Sequence, residues 1–248
     1  MALDTTDYSS NGNDLTNNNG VAEETTDVPS GGDIGTSAKM ELASSQYLSI
    51  TDAAQTGLDL TSTGTIEFWF KPITIPGFYF LFAKWDSAAN TGTVQGYGGT
   101  GGRLTCYVHD GSVYTGYYVA SLIQTGWHHY AITTNTDNPA ATTFEFFRDG
   151  VSQGNGAAEA ANNGGDLPDN DDPFSIGARV GNTSYVNGYF ADFRYWNDVR
   201  TDTEIADNYE NHLSDPTSEA NLVGYWPFEA VGGGDTAVPL RTLMGTGI

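Results

Sequence analysis

Three groups of residues in this 248-residue chain combine types and spacings that could do chemistry. The first is Asp7-Tyr8-Ser9-Ser10-Asn11-Gly12-Asn13-Asp14. Side-chain oxygens recur at alternate positions and a glycine stands sixth. That is the pattern of the first half of a calcium loop, where alternate oxygens face one point and glycine permits the sharp turn. The distal bidentate glutamate is missing. Asp7, Asn11 and Asn13 are the candidate ligands; the alternative is an Asn/Gly-rich turn closed by Asx hydrogen bonds. The second group is Asp166, Asp169, Asn170, Asp171 and Asp172, the densest carboxylate cluster. It is not an EF-hand, because Pro173 stands where glycine is needed. On its residues alone it reads as a solvated acidic loop.

The third group is aromatic. Tyr97, Tyr107, Tyr114, Tyr117 and Tyr118 fall in one Gly/Tyr-rich region. Aromatic faces beside hydrogen-bonding groups are how proteins hold sugars. Tyr114, Tyr117 and Tyr118, with Asp169, are therefore the candidate ligand-binding residues; the alternative is cross-strand packing pairs. His128 and His129 follow Trp127. On a strand they face opposite sides, so they cannot share a metal. No Gly-x-Ser-x-Gly elbow or His-Glu-x-x-His helix occurs.

The elements that would position these residues are mostly strands. Ile66, Phe68 and Phe70 alternate with Thr65, Glu67 and Trp69, a period of two. Phe78 to Trp85 is a nearly continuous apolar run. Arg103–His109 and Val113–Val119 flank Asp110-Gly111, a hairpin signal. Trp127–Thr133, Thr142–Arg148, Phe174–Ala178, Val186–Trp196 and Leu222–Phe228 read as further strands, and residues 152–173 as a long loop. One helix is expected. Thr201-Asp202-Thr203-Glu204 is a capping box, Ile205 and Tyr209 share a face, and Asp215-Pro216 is the expected stop. Short strands, Gly/Asn turns and one helix imply an all-β, antiparallel two-sheet β-sandwich of jelly-roll type with one short C-terminal helix.

Net charge is −22, with nine lysines and arginines. Nucleic acid is excluded as a partner, because phosphate binding needs clustered cations. No apolar run approaches the ~20 residues of a membrane span, so membrane insertion is not expected. The start, Met1-Ala2-Leu3-Asp4, is not a signal peptide and reads as a start placed within a longer protein. Cys106 is the only cysteine, which excludes an internal disulfide; it reads as a small core residue.

A family resemblance rests on an ordered set of short motifs. Tyr47-Leu48-Ser49-Ile50 and Thr65-Ile66-Glu67-Phe68-Trp69-Phe70-Lys71-Pro72 form its opening. Gly126-Trp127-His128-His129 and Phe147-Arg148-Asp149-Gly150 form its middle. Ile176-Gly177, Gly188-Tyr189-Phe190-Ala191-Asp192-Phe193-Arg194-Tyr195-Trp196-Asn197 and Glu204-Ile205 form its close. Together they resemble the laminin-G-like, concanavalin A-like lectin/glucanase domains of the pentraxin-like superfamily, over roughly residues 3 to 228. The resemblance implies the jelly roll and a structural calcium held by terminal segments and the closing strand, with Asp192 as the matching carboxylate. It also implies that rim calcium near Asp169, Asp171 and Asp172 could bridge to ligand. The Glu-x-Asp-x-x-Glu strand of the glucanases on this fold has no counterpart here.

One feature departs from the family. Leu222–Glu229 is similar to a strand that often opens such a domain, yet it stands last. It either completes this sandwich or begins a next unit. The expected organisation is one domain over residues 1–230, with 231–248 a flexible tail, a linker or the start of another unit. The expected function is a non-catalytic carbohydrate- or surface-binding module of a larger extracellular, cell-surface or virion protein, stabilised by calcium. Its partners would be polysaccharide or glycoconjugate and other virion or cell-surface subunits. The alternatives are a structural or decoration module of a phage tail, capsid or adhesin, and a divergent glycan hydrolase.

Overall fold

A computed structural model of the chain describes residues 2–75, 77–86, 91–137, 143–161, 167–181 and 183–230. In chain order the strands are β1 (Thr16–Asn18), β2 (Ala22–Glu24), β3 (Ser37–Met40), β4 (Tyr47–Ile50), β5 (Thr63–Pro72), β6 (Phe78–Asp86), β7 (Thr91–Gly99) and β8 (Arg103–His109). Then follow β9 (Tyr114–Val119), β10 (His128–Asn135), β11 (Thr143–Arg148), β12 (Val151–Ser152), β13 (Ala157–Ala161), β14 (Phe174–Ile176) and β15 (Gly188–Trp196). The helix α1 (Asp202–Asn208) and β16 (Leu222–Trp226) close the sequence of elements.

The strands form two antiparallel sheets. One runs β1-β4-β14-β6-β7-β8-β9-β13; the other runs β12-β11-β10-β5-β15-β3-β2, with β16 beside β15. This is the expected two-sheet sandwich. Period-two alternation fills its centre: Ile66, Phe68 and Phe70 of β5 enter one buried cluster with Leu104, Cys106 and Val108 of β8, Tyr130, Phe193 and Trp226. Burial pushes the Cys106 thiol up, so it is an inert core group.

The other face of β5 is covered by α1 and the segments around it. Trp69 Nε1 donates to the Tyr209 carbonyl at 2.7 Å, and Thr65 Oγ1 to that of Asp198 at 2.8 Å. The capping box is present, with the Thr201 hydroxyl accepting from the Glu204 amide and Glu204 accepting from the Thr201 amide. The helix ends at Asn208, before the expected Asp215-Pro216 stop. Arg194 takes the carbonyls of Asn208 at 3.1 Å and Asn211 at 2.5 Å, which a further turn would have used.

Further differences from the sequence reading concern strands. β1, β2, β3 and β7 were not expected, and β12 and β13 occupy part of the expected 152–173 loop; residues 162–166 of that loop lie outside the described residues.

β15 changes partners midway. β5 pairs along one edge, while on the other β3 takes Gly188–Phe190 and β16 takes Phe193–Trp196. The register shifts between Ala191 and Arg194, where Asp192 has a φ of 49°. Such a bulge re-aims a side chain. β16 is buried along its whole length, so Leu222–Trp226 pairs within this sandwich. Residues 2–4 and 228–230 line one hollow at the surface. The expected 231–248 tail lies outside the described residues.

Candidate functional site

The outer face of the first sheet carries a chain of ring contacts. Even-numbered Val94, Leu104, Cys106 and Val108 point into the core, so odd-numbered neighbours point out. Phe78 contacts Tyr97 at 4.8 Å between centroids, Tyr97 contacts Tyr107 at 5.9 Å, and Tyr107 contacts Tyr114 at 6.5 Å. Tyr114 then packs on His109 at 4.5 Å and, nearly parallel, on Trp85 at 5.6 Å. Three strands, β7, β8 and β9, thus bring tyrosines separated in sequence into one row.

Polar groups border the rings. The Arg103 guanidinium lies 3.7 Å over the Tyr118 ring and is ion-paired with Glu159 of β13. Tyr97 Oη donates to Glu159 at 3.0 Å. Arg179 lies 4.7 Å over Phe80 and donates to Gln95 Oε1 at 3.2 Å. Burial pushes the Tyr97 hydroxyl well above the usual tyrosine range, so it stays a donor.

The structure divides the expected ligand-binding residues. Tyr114 and Tyr118 lie on this outer face. Tyr117 is a correction: strand alternation turns it inward, where its ring stacks on Phe144 at 5.3 Å. Asp169 is exposed. It belongs to a segment whose Pro168 abuts Gly111, where a Cβ would lie 3.6 Å from the proline ring. Asp169 is therefore at the Tyr114 end of the row.

The residues expected to hold calcium are engaged with groups of the protein itself. Asp7 Oδ1 accepts from the amides of Ser9 at 2.9 Å and Tyr225 at 2.8 Å; Oδ2 accepts from the Asn13 amide at 2.7 Å and the Ser9 hydroxyl at 2.7 Å. Asn13 Oδ1 accepts from the Thr56 amide at 2.7 Å, and its Nδ2 donates to the carbonyls of Val223 and Thr56. Asn11 points Nδ2 at the Leu222 carbonyl, 3.1 Å away. Asp192 reaches the far end of Tyr225, accepting from its hydroxyl at 2.6 Å, and also binds His212 and Arg194. These oxygens face N–H and O–H donors, and so do not fit a hard cation. The alternate spacing serves an Asx network that ties residues 7–13 to β16.

The second candidate set is organised by a lysine. The Lys84 ammonium, fully buried, lies 3.1 Å from Asp52 Oδ1, 3.1 Å from Asp59 Oδ1, 3.0 Å from the Asn170 carbonyl and 2.7 Å from that of Asp172. An organic cation thus holds the centre of the acidic loops. Burial pushes the Asp59 carboxyl up, against the pull of Lys84. Asp169 and Asp171 are exposed, Asp172 is buried, and Asp166 lies outside the described residues. Sequence reasoning missed Lys84, although a lone lysine inside an apolar run signals a buried charge that needs partners.

His128 and His129 do face opposite sides. His128 Nδ1 pairs with Asp149 at 2.7 Å; His129 is buried between Trp69 and Tyr209, 3.4 Å from Glu67. Glu67 also accepts from Trp196 Nε1 at 2.8 Å. Burial opposes ionisation, but Arg194 and His129 hold the Glu67 carboxyl below the usual range. Sealed beneath α1, it is a structural anion. Among the described residues no helix is long and apolar enough to cross a membrane.

Comparisons with known proteins place this geometry. A family model described as the concanavalin A-like lectin/glucanases superfamily matches residues 42–206. No curated protein matches the sequence. Domain 4 of an extracellular arabinanase from Geobacillus stearothermophilus, solved with arabinotriose, is 16% identical with a TM-score of 0.55, covering 84% of this chain and 98% of that one. The binding domain of botulinum neurotoxin serotype D is 12% identical with a TM-score of 0.55, covering 80% and 46%. That of Paraclostridial Mosquitocidal Protein 1 is 14% identical with a TM-score of 0.52, covering 83% and 51%. This chain spans about half the length of the latter two. The chain belongs to the concanavalin A-like lectin/glucanase superfamily.

Proposed function

We propose that this domain is a non-catalytic glycan-binding module of an extracellular protein, and that it binds across the outer face of β6–β9. The observation that carries this is the ring row Phe78–Tyr97–Tyr107–Tyr114, bordered by Arg103, Glu159, Gln95 and Arg179. Sugars present C–H faces that pack on aromatic rings and hydroxyls that both donate and accept. A row of rings with polar groups at its border supplies both needs. The arabinotriose bound to the similar arabinanase domain is in keeping with this ligand class.

The module works without calcium in this reading. The Asp7 and Asn13 oxygens accept from protein donors, and Lys84 fills the acidic loops. Catalysis is not part of the proposal, since Glu67 is wired into a sealed ion-pair network.

Affinity electrophoresis through gels containing a panel of polysaccharides, with and without EDTA, tests the proposal. The expected result is retardation by at least one polymer, unchanged by EDTA and lost in Tyr107→Ala. Unretarded migration in every gel would sink it and favour a purely structural module.

A further inference from the structure

We infer that the ligand of this face is a neutral polysaccharide rather than an acidic one, and that the Arg103–Glu159 pair sets the preference. The inference rests on the glycan reading above. Two guanidiniums reach the aromatic face, and both are engaged. Arg103 is stacked on Tyr118, ion-paired with Glu159, and donates from Nε to Thr105 Oγ1 at 3.0 Å. Arg179 is stacked on Phe80 and donates to Gln95. Lys84, the other cation of β6–β9, is sealed in the interior, while Lys39 and Lys71 lie on β3 and β5 of the opposite sheet.

A uronate or sulfate is recognised by a guanidinium with a free fork of donors. Here an anionic sugar would have to displace Glu159 from Arg103. It would also approach a chain of net charge −22, whose field repels it. A neutral sugar meets neither obstacle. Glu159 offers acceptors beside the Arg103 donors, and Gln95 adds an amide. Two neighbouring hydroxyls, each able to donate and accept, can bridge the Arg103–Glu159 pair without breaking it.

The test compares neutral polymers (arabinan, β-glucan, galactomannan) with acidic ones (polygalacturonate, alginate), each at low and high salt. The wild-type protein is expected to bind at least one neutral polymer with an affinity insensitive to salt, and neither acidic polymer. Glu159→Gln strips Arg103 of its counter-charge. It is expected to lose about tenfold in neutral-polymer affinity and to gain salt-sensitive binding of an acidic polymer. Salt-sensitive binding of an acidic polymer by the wild-type protein would overturn the neutral preference and leave the glycan reading standing. Binding of neither class overturns both. The wild-type arm decides the matter even where the variant fails to fold.

Discussion

Lys84 donates its ammonium to the carbonyl oxygen of Asp172 at 2.7 Å, and both residues are buried. The same ammonium holds Asp52, Asp59 and the Asn170 carbonyl. Its removal leaves two carboxylates facing each other and two carbonyls without their donor. Lys84→Met is expected to cost about 3–5 kcal/mol, a fall in melting temperature of about 10 °C for a chain of this size. EDTA is expected to leave the wild-type melting temperature unchanged, because an ion bound only to the native state would raise it. Differential scanning calorimetry measures both. A chelator-induced drop would restore calcium to the account.

Asp7 anchors the chain start to its last strand. Asp7→Ala leaves the amides of Ser9, Asn13 and Tyr225 without an acceptor. The expected cost is about 2–4 kcal/mol, read from urea unfolding. Truncation after Thr217 removes β16 with buried Tyr225 and Trp226. Each such aromatic is worth about 3–5 kcal/mol, and a domain has only about 5–15 to lose. The truncated chain is expected to show no cooperative transition; an unchanged one would mean that β16 is dispensable.

His212 gives the fold a pH limit. It lies 2.9 Å from both Asp192 and Glu229, and 3.0 Å from the Tyr225 hydroxyl. Burial opposes its charge, but the two carboxylates win and push its pKa from 6.5 up to about 9. The folded state thus holds this proton more tightly than the unfolded chain does. Its contribution is complete below pH 6.5 and lost as pH rises through about 9. The loss is up to about 3 kcal/mol. Asp192 and Glu67, held below the usual range despite burial, act in the opposite sense: their contribution is lost as pH falls into the acid range. Melting temperature against pH should form a dome that declines on the alkaline side, and His212→Gln should flatten that decline.

Tyr114 and Tyr117 are three residues apart and face opposite ways. Tyr114→Ala is expected to weaken glycan binding by about tenfold or more, with modest loss of stability. Tyr117→Ala is expected to cost about 3 kcal/mol in stability while leaving affinity intact in the folded fraction. Isothermal titration alongside thermal melts separates the two. Equal effects on affinity would mean that the ring row is not the site.

The fold was legible where one rule dominated. Alternation in Ile66, Phe68 and Phe70, the Asp110-Gly111 turn and the Thr201–Glu204 box each specify their element locally. β7 was hidden because its glycines read as turns. They are needed there for close packing: a Cβ at Gly96 would lie 2.3 Å from the Phe82 ring, and one at Gly98 2.2 Å from Tyr79. The site was half legible. Tyrosine density pointed to the sheet that carries the ring row, but the inward turn of Tyr117 depends on the phase of β9, and the Arg103–Glu159 pair joins strands far apart in sequence. The Asp7–Asn13 spacing was ambiguous for a related reason. Asx turns and metal loops use the same alternation of oxygens, and only the third dimension shows whether amides or an ion stand at the focus.

The hollow shared by residues 2–4 and 228–230 makes this domain a loop closed at its neck. Set into a surface turn of another chain, it would add a whole sandwich while displacing the two cut ends very little. Joining those ends by a short Gly/Ser bridge and reopening the chain at Asp110-Gly111 should therefore give a circular permutant with the same sandwich.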